Sequence, residues 1–320
     1  MINILVIEDD GSIREIINYN LSNKFSVLTA DNKKRAFIET EKIKTLWFNT
    51  GTLCNLACKG CYIESSPKND RLRYLSFNEF KSFVNESIQN EMGTEKIGFT
   101  GGEPFMIKDI FKMIKYSLDN GFKTLVLTNA MKPMLNNKND LFRLNHLNLT
   151  IRVSIDHYLK EKHEQIRGPN SWAPMIEGLK WLAKNNFNYC LATRLMWNED
   201  ETTTRESFKT FIKDNELKIN ADSKIQLVTF AEMDKKSDTP EITTECWKIL
   251  NKNQNEVMCS SSRMIVKKKE NDYPTVIACT LLPYNSEFDL GNTLKESLKR
   301  IYLNHPHCSK FCVLGGSSCG

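Results

Sequence analysis

The sequence predicts an α/β protein: a partial (β/α)6 TIM-like barrel over residues 44–233, preceded by a small extension at 1–43 and followed by a cysteine-rich domain at 234–320. Three features predict it. Short apolar runs alternate with amphipathic helical patterns six times in series, which favours parallel βα units in an incomplete barrel over an open doubly wound sheet. One of those runs splits its polar and apolar side chains with a period of two. Beyond Met233 the rhythm stops, and five cysteines crowd between Cys259 and Cys319.

The first run, LWFN (46–49), leads into a cysteine-bearing loop. SFNEFKSFVNESI follows, in which Ser76 and Glu79 form a capping box and Phe77, Phe80, Val84 and Ile88 mark one helical face. IGFT (97–100) precedes a helix carrying Ile107, Ile110, Phe111, Ile114 and Leu118, closed by Asn120 and Gly121. KTLVLTN (123–129) gives the third strand. In the fourth, LTIRVSID (149–156), Ile151, Val153 and Ile155 share one face and Arg152, Ser154 and Asp156 the other. Polar groups near the C-terminal end of a barrel strand line an active site. A helix near 172–185, a strand at 188–196, a helix near 204–214 and a strand at 225–230 complete the series.

Composition narrows the function. With 320 residues and 40% hydrophobic content the chain can build a core without disulfides. A net charge of +5, from 44 basic and 39 acidic residues, announces neither a nucleic-acid nor an anionic-membrane partner. The start MINILVIEDDGSIREII puts Glu8, Asp9 and Asp10 where a signal peptide would be basic and then apolar, and no apolar run reaches membrane-spanning length. A cytoplasmic protein is expected, in a reducing compartment where ten cysteines favour metal or redox chemistry. ILVIEDD followed by IREIINYNL resembles the opening of a response-regulator receiver domain, yet only a βαβ fragment fits before the barrel. Residues 1–43 therefore read as a small βαβ-like extension and not as a phosphorelay module.

Cys54, Cys58 and Cys61 form a CxxxCxxC pattern just after the first strand. Three thiolates can hold three corners of a 4Fe-4S cube and leave one iron open to a small molecule; the alternative is a zinc knot built on the Cys58/Cys61 half-site. At the end of the second strand stands TGGEP (100–104), where two glycines permit close backbone approach to a ligand and Glu103 can accept hydrogen bonds from an ammonium group.

CxxxCxxC after the first strand and GGEP after the second resemble the radical S-adenosylmethionine (SAM) enzymes, over roughly residues 44–230. SIDHYLKEKHEQIRG (154–168) is similar to the fourth-strand segment of the subgroup with cysteine-rich C-terminal extensions. The resemblance implies that Cys54, Cys58 and Cys61 ligate a 4Fe-4S cluster whose open iron chelates SAM. It implies further that Gly101, Gly102 and Glu103 meet the SAM amino group, that Ser154 and Asp156 fall near the ribose, and that Arg194 faces the SAM carboxylate. Many members carry an aromatic residue directly before the third cysteine; here Gly60 stands there and Tyr62 follows, so adenine contact through the Gly60 backbone is expected. By the same resemblance a flavodoxin- or ferredoxin-type donor reduces the cluster, and the 5'-deoxyadenosyl radical abstracts hydrogen from a peptide, a protein side chain or a small metabolite.

Of the remaining cysteines, Cys259, Cys279, Cys308, Cys312 and Cys319 are grouped at the end of the chain. CTLLPYNSEFDLGNTLKESLKRIY with HCSKFCVLGGSSCG resembles the SPASM and twitch extensions of radical SAM enzymes, which implies one auxiliary 4Fe-4S cluster; a zinc ribbon is the alternative. Cys190 and Cys246 read as ordinary thiols, His305 and His307 as solvated neighbours, and Lys267–Lys269 as a solvated hairpin face.

Overall fold

The computed structural model describes residues 33–231 and 239–315. The proposed βαβ character of residues 1–32, and Cys319, lie outside them. Six parallel strands, β2 (Thr45–Asn49), β3 (Lys96–Thr100), β4 (Lys123–Thr128), β5 (Leu149–Ser154), β6 (Asn188–Leu195) and β7 (Leu227–Ala231), lie side by side in sequence order. A βα unit that adds one neighbour at a time produces this arrangement. Their connecting helices include α1 (Phe77–Gln89), α2 (Ile110–Asp119), α5 (Lys160–Arg167), α6 (Trp172–Lys184) and α7 (Glu201–Asp214), with two short helices, α3 (Lys132–Leu135) and α4 (Lys138–Arg143), between β4 and β5.

Local chemistry sets the element ends. In α1 the capping box forms: Ser76 Oγ accepts from the Glu79 amide, and Glu79 Oε2 accepts from the Ser76 amide at 2.8 Å. The second helix starts later than its apolar pattern, because Pro104–Met106 makes a 3₁₀ turn with Glu103 as its cap and Ile107 is extended. Asp200 caps α7 by accepting from Thr203 N at 2.8 Å, so this helix begins at Glu201.

Strand parity divides the molecule into two cores. Leu46, Phe48, Ile97, Phe99, Val126, Ile151 and Val153 pack under the helices, with Phe48 and Phe80 in edge contact at 4.6 Å. Trp47, Leu125, Met264 and Val266 face the other way and pack against the C-terminal region. Gly98 opposes Trp47, and a side chain there would overlap the indole ring.

The C-terminal region joins the barrel sheet. β8 (Ser262–Val266) pairs parallel with β2, and β9 (Thr275–Ile277) pairs antiparallel with β8, giving eight strands in one sheet. β1 (Phe37–Ile38) pairs with β10 (Ile301–Tyr302), so the segment ahead of the barrel is stitched to the far end of the chain. The three lysines expected on a solvated face each hold a different carboxylate: Lys267 with Glu79 at 2.5 Å, Lys268 with Asp289 at 3.0 Å, Lys269 with Asp70 at 2.5 Å. Lys267 and Lys268 keep only 19% and 17% of their side-chain surface, so this strip is a seam between the extension and the barrel.

Candidate active site

A cavity of about 190 Å³ opens at the C-terminal ends of the parallel strands. Cys54, Cys58 and Cys61 line it from the loop after β2, and Gly101 and Gly102 from the end of β3. Arg152, Ser154 and Asp156 enter from β5 and its extension, on the face that parity assigned to them, and Arg194 enters from β6. Gly60 and Tyr62 line it as well. One predicted residue, Glu103, lies behind the wall.

The glycines are needed for a reason other than ligand approach. A Cβ on Gly102 would fall on the Leu53 carbonyl, one on Gly101 would lie 2.7 Å from the Gly51 carbonyl, and Gly101 has φ +128°. Their bareness lets the end of β3 press against the start of the cysteine loop, where Gly102 N donates to Gly51 O at 2.8 Å. Gly102→Ala is therefore expected to push that loop away. We expect a cost of about 1–3 kcal/mol from overpacking and sub-stoichiometric iron on reconstitution; a variant with parent melting temperature and iron content would show that the loop yields freely.

Glu103 is 1% exposed, and both its oxygens are engaged. Oε1 accepts from Thr128 Oγ1 at 2.8 Å and from Phe105 N at 3.2 Å; Oε2 accepts from Asn129 N at 2.9 Å. Burial pushes its carboxyl up to about 7, while these donors pull the other way. Glu103 thereby ties the end of β4 to the end of β3. The tie continues: Asn129 Nδ2 donates to Asn55 Oδ1 at 2.9 Å, beside Cys54. Thr128 and Asn129, which line the cavity, escaped the sequence reading because TN at a strand end carries no distinctive spacing.

Asp156 is 2% exposed and stands between two guanidiniums. Arg194 Nε donates to its Oδ1 at 2.6 Å, and Arg167 Nε pairs with Oδ2 at 2.6 Å. Burial alone would raise this carboxyl; the two positive charges outweigh it and hold it below the usual carboxylate range. Arg194 also reaches Gly60, whose carbonyl accepts from Nη1 at 3.4 Å and whose φ is +67°. The strand-borne network thus grips the cysteine loop one residue ahead of Cys61. Arg167, which lines the cavity, was not singled out in the sequence, although it lies in the HEQIRG segment; as the last residue of α5 it returns to Asp156 only in the folded chain.

Four C-terminal cysteines, Cys259, Cys279, Cys308 and Cys312, line a second, smaller cavity. Cys308 and Cys312 lie on a π-helix, Cys308–Leu314. Burial pushes the thiols of Cys54, Cys259 and Cys308 up to about 12, and that of Cys279 well above its ordinary value. Three cysteines on the larger cavity and four on the smaller are donor sets of the type an iron–sulfur cluster takes. Leu281 lines both cavities, and Phe311 stacks on Phe230 at 5.9 Å in the wall of the larger one. His307 is 4% exposed and lines the smaller cavity, and its amide donates to His305 Nδ1 at 3.0 Å; it is not a solvated neighbour. Cys190 is buried within β6, and the Cys246 thiol sits against Thr243, apart from both cavities.

A family model for the radical SAM superfamily matches residues 48–211, about half of the chain. The chain belongs to the radical SAM superfamily. It is 25% identical over 185 residues to the GTP 3',8-cyclase of Actinobacillus pleuropneumoniae, covering 57% of this chain and 52% of the cyclase. It is 30% identical over 131 residues to the antilisterial bacteriocin subtilosin biosynthesis protein AlbA of Bacillus subtilis, covering 41% of this chain and 28% of AlbA. The chain thus spans about half the length of the cyclase. Among solved structures, SuiB of Streptococcus suis bound to S-adenosylmethionine matches with TM-score 0.56 and 12% identity over 90% of this chain and 70% of SuiB. The anSMEcpe structure with bound AdoMet matches with TM-score 0.57 and 14% identity over 80% of each chain. These two share the partial-barrel fold. A member of this superfamily is an enzyme whose cofactors are a 4Fe-4S cluster and SAM. Among the described residues no helix is long and apolar enough to cross a membrane.

Proposed function

We propose that this radical SAM enzyme modifies a peptide or protein side chain, with Cys54, Cys58 and Cys61 holding the catalytic cluster and Cys259, Cys279, Cys308 and Cys312 an auxiliary one. The observation that carries the reading is the placement of the two cysteine groups on adjoining cavities that share Leu281. When bound, the catalytic cluster and SAM supply a 5'-deoxyadenosyl radical that abstracts hydrogen from the substrate. The protein's part is enclosure and positioning. Gly60, Gly101 and Gly102 offer backbone groups to SAM and Ser154 a hydroxyl, while Tyr62, Phe230, Leu281 and Phe311 give the cavity an apolar side. Glu103 and Asp156 set the walls: the first aligns the ends of β3 and β4, the second holds Arg194 against the Gly60 carbonyl.

A peptide substrate is supported by relatives: AlbA is a bacteriocin biosynthesis protein, and SuiB has been solved bound to its precursor peptide SuiA. A flavodoxin- or ferredoxin-type donor, in a cytoplasmic setting, completes the reading. The likeness to GTP 3',8-cyclases favours a second one, a small nucleotide substrate.

Anaerobic reconstitution with iron and sulfide tests the proposal, with about eight irons per chain expected and 5'-deoxyadenosine formed from SAM under a strong reductant. Bound zinc without SAM cleavage would sink it. Consumption of GTP in the same assay would overturn the peptide assignment and leave the two-cluster assignment standing.

A further inference from the structure

Arg263, the second residue of β8, is 0% exposed. Its Nε and Nη2 donate to the Ser297 carbonyl at 3.2 and 3.0 Å, and Nη1 donates to the carbonyls of Cys259 and Ser262, both at 2.7 Å. Each nitrogen is satisfied, but every partner is a neutral backbone carbonyl. Among the described residues no carboxylate lies within ion-pair distance of the guanidinium. Carbonyl dipoles answer its hydrogen bonds and leave its charge uncompensated, and a buried charge without an opposite one is strongly destabilising.

The chain places that charge deliberately. The register of β8 on β2 sets Arg263 opposite Leu46, and its fork closes back over the turn that carries Cys259. The Cys259 carbonyl accepts a further bond from Thr40 Oγ1 at 3.1 Å, so the turn is clamped from two sides. Arg35, on the Cys308 side, is paired with Glu241, so its charge is already answered.

We propose that Arg263 is the countercharge of the auxiliary cluster, a positioning residue that orients the Cys259 turn and raises the cluster's reduction potential. The inference rests on the auxiliary-cluster assignment above. Four thiolates around an oxidised 4Fe-4S core give the site a net negative charge, which one further electron increases. Arg263 reaches the site from the opposite face of β8 through the Cys259 carbonyl, and a fixed positive charge at that backbone favours the reduced state, the more so in low-dielectric surroundings.

The test uses the full chain with Cys54, Cys58 and Cys61 replaced by alanine, so that only the C-terminal cluster is read in an anaerobic redox titration followed by electron paramagnetic resonance. In that background Arg263→Met is expected to shift the oxidised-to-reduced ratio at fixed potential at least tenfold toward oxidised, a midpoint lower by about 59 mV for one electron. Arg263→Lys keeps the charge without the fork and is expected to stay within tenfold of the parent. A Met variant that shifts by less than tenfold, or in the opposite direction, overturns the proposal. Should the Met variant fail to fold, Arg263→Gln, which keeps a donor without the charge, is read against the Lys variant: a tenfold drop for Gln alone supports a countercharge, and equal midpoints refute it. A parent background that binds no cluster refutes the cluster assignment instead, before Arg263 is touched.

Discussion

Cys54→Ala is expected to abolish SAM cleavage, whereas Cys312→Ala leaves SAM cleavage running without product. The two thiols line different cavities: Cys54 faces the larger one with Gly101, Gly102 and Ser154, and Cys312 the smaller one with Cys259 and Cys308. Removing Cys54 leaves two cysteines in the loop, too few to hold the catalytic cluster with one iron open. The loss should exceed about a hundredfold, the upper end of what deleting a supporting residue costs at a metal site. Removing Cys312 spares the cysteine loop, the glycines and the strand-borne polar residues of the larger cavity, so 5'-deoxyadenosine should form within about tenfold of the parent rate, one tenfold step being about 1.4 kcal/mol in the barrier. Product should vanish, because the wall that joins the cavities, Leu281 with Phe311, lies on the cysteine-bearing segments that lose their anchor. Parallel quantification of 5'-deoxyadenosine and modified product separates the two outcomes. Equal retention of cleavage in both variants would refute the division between the sites.

The barrel and the first cysteine site were legible because their signals are local. Alternation along residues 149–156 placed Arg152, Ser154 and Asp156 on one face, and the cavity has them there. What could not be read is what those side chains meet. Arg167 returns to Asp156 across a helix turn, and nothing in spacing marks it as the second cation on that carboxylate. SRMIV at 262–266 has the composition of a strand, yet only the closed chain reveals that it pairs with residues 45–48, more than 200 positions earlier. The glycines of GGEP show a subtler limit. The sequence pointed to close backbone approach to a ligand there, but the neighbour that crowds these glycines is the cysteine loop itself, at Gly51 and Leu53. Glu103 carries the same lesson, since its carboxylate is occupied by Thr128, Asn129 and Phe105, whose approach depends on the register of β3 against β4.

Asp156→Asn should be the most damaging single substitution away from the cysteines. The change is nearly isosteric, so its effect isolates charge. Asparagine can accept from one guanidinium through its oxygen, but its amide would present a donor to the other, and Arg167 and Arg194 keep only 14% and 17% of their side-chain surface to water. Breaking a buried pair from one side costs about 3–5 kcal/mol, which corresponds to a fall of roughly 6–20 °C in melting temperature for a domain of this size. The sign of the pH dependence follows from the direction of the shift. The Asp156 carboxyl is held below its ordinary value in the folded chain, so its stabilising contribution is complete above the unfolded-state value, near pH 4, and is lost as pH falls through the folded-state value. The gap in melting temperature between parent and variant should therefore be widest at neutral pH and shrink below about pH 4. A gap that stays constant with pH would assign the loss to packing and not to charge. The functional consequence runs through Arg194: freed from Asp156, it no longer holds the Gly60 carbonyl, and the loop bearing Cys58 and Cys61 loses its strand-side support. SAM affinity should fall with stability, and Asp156→Glu, which restores the charge at a longer reach, should recover melting temperature more than affinity because it cannot hold both guanidiniums at their present positions.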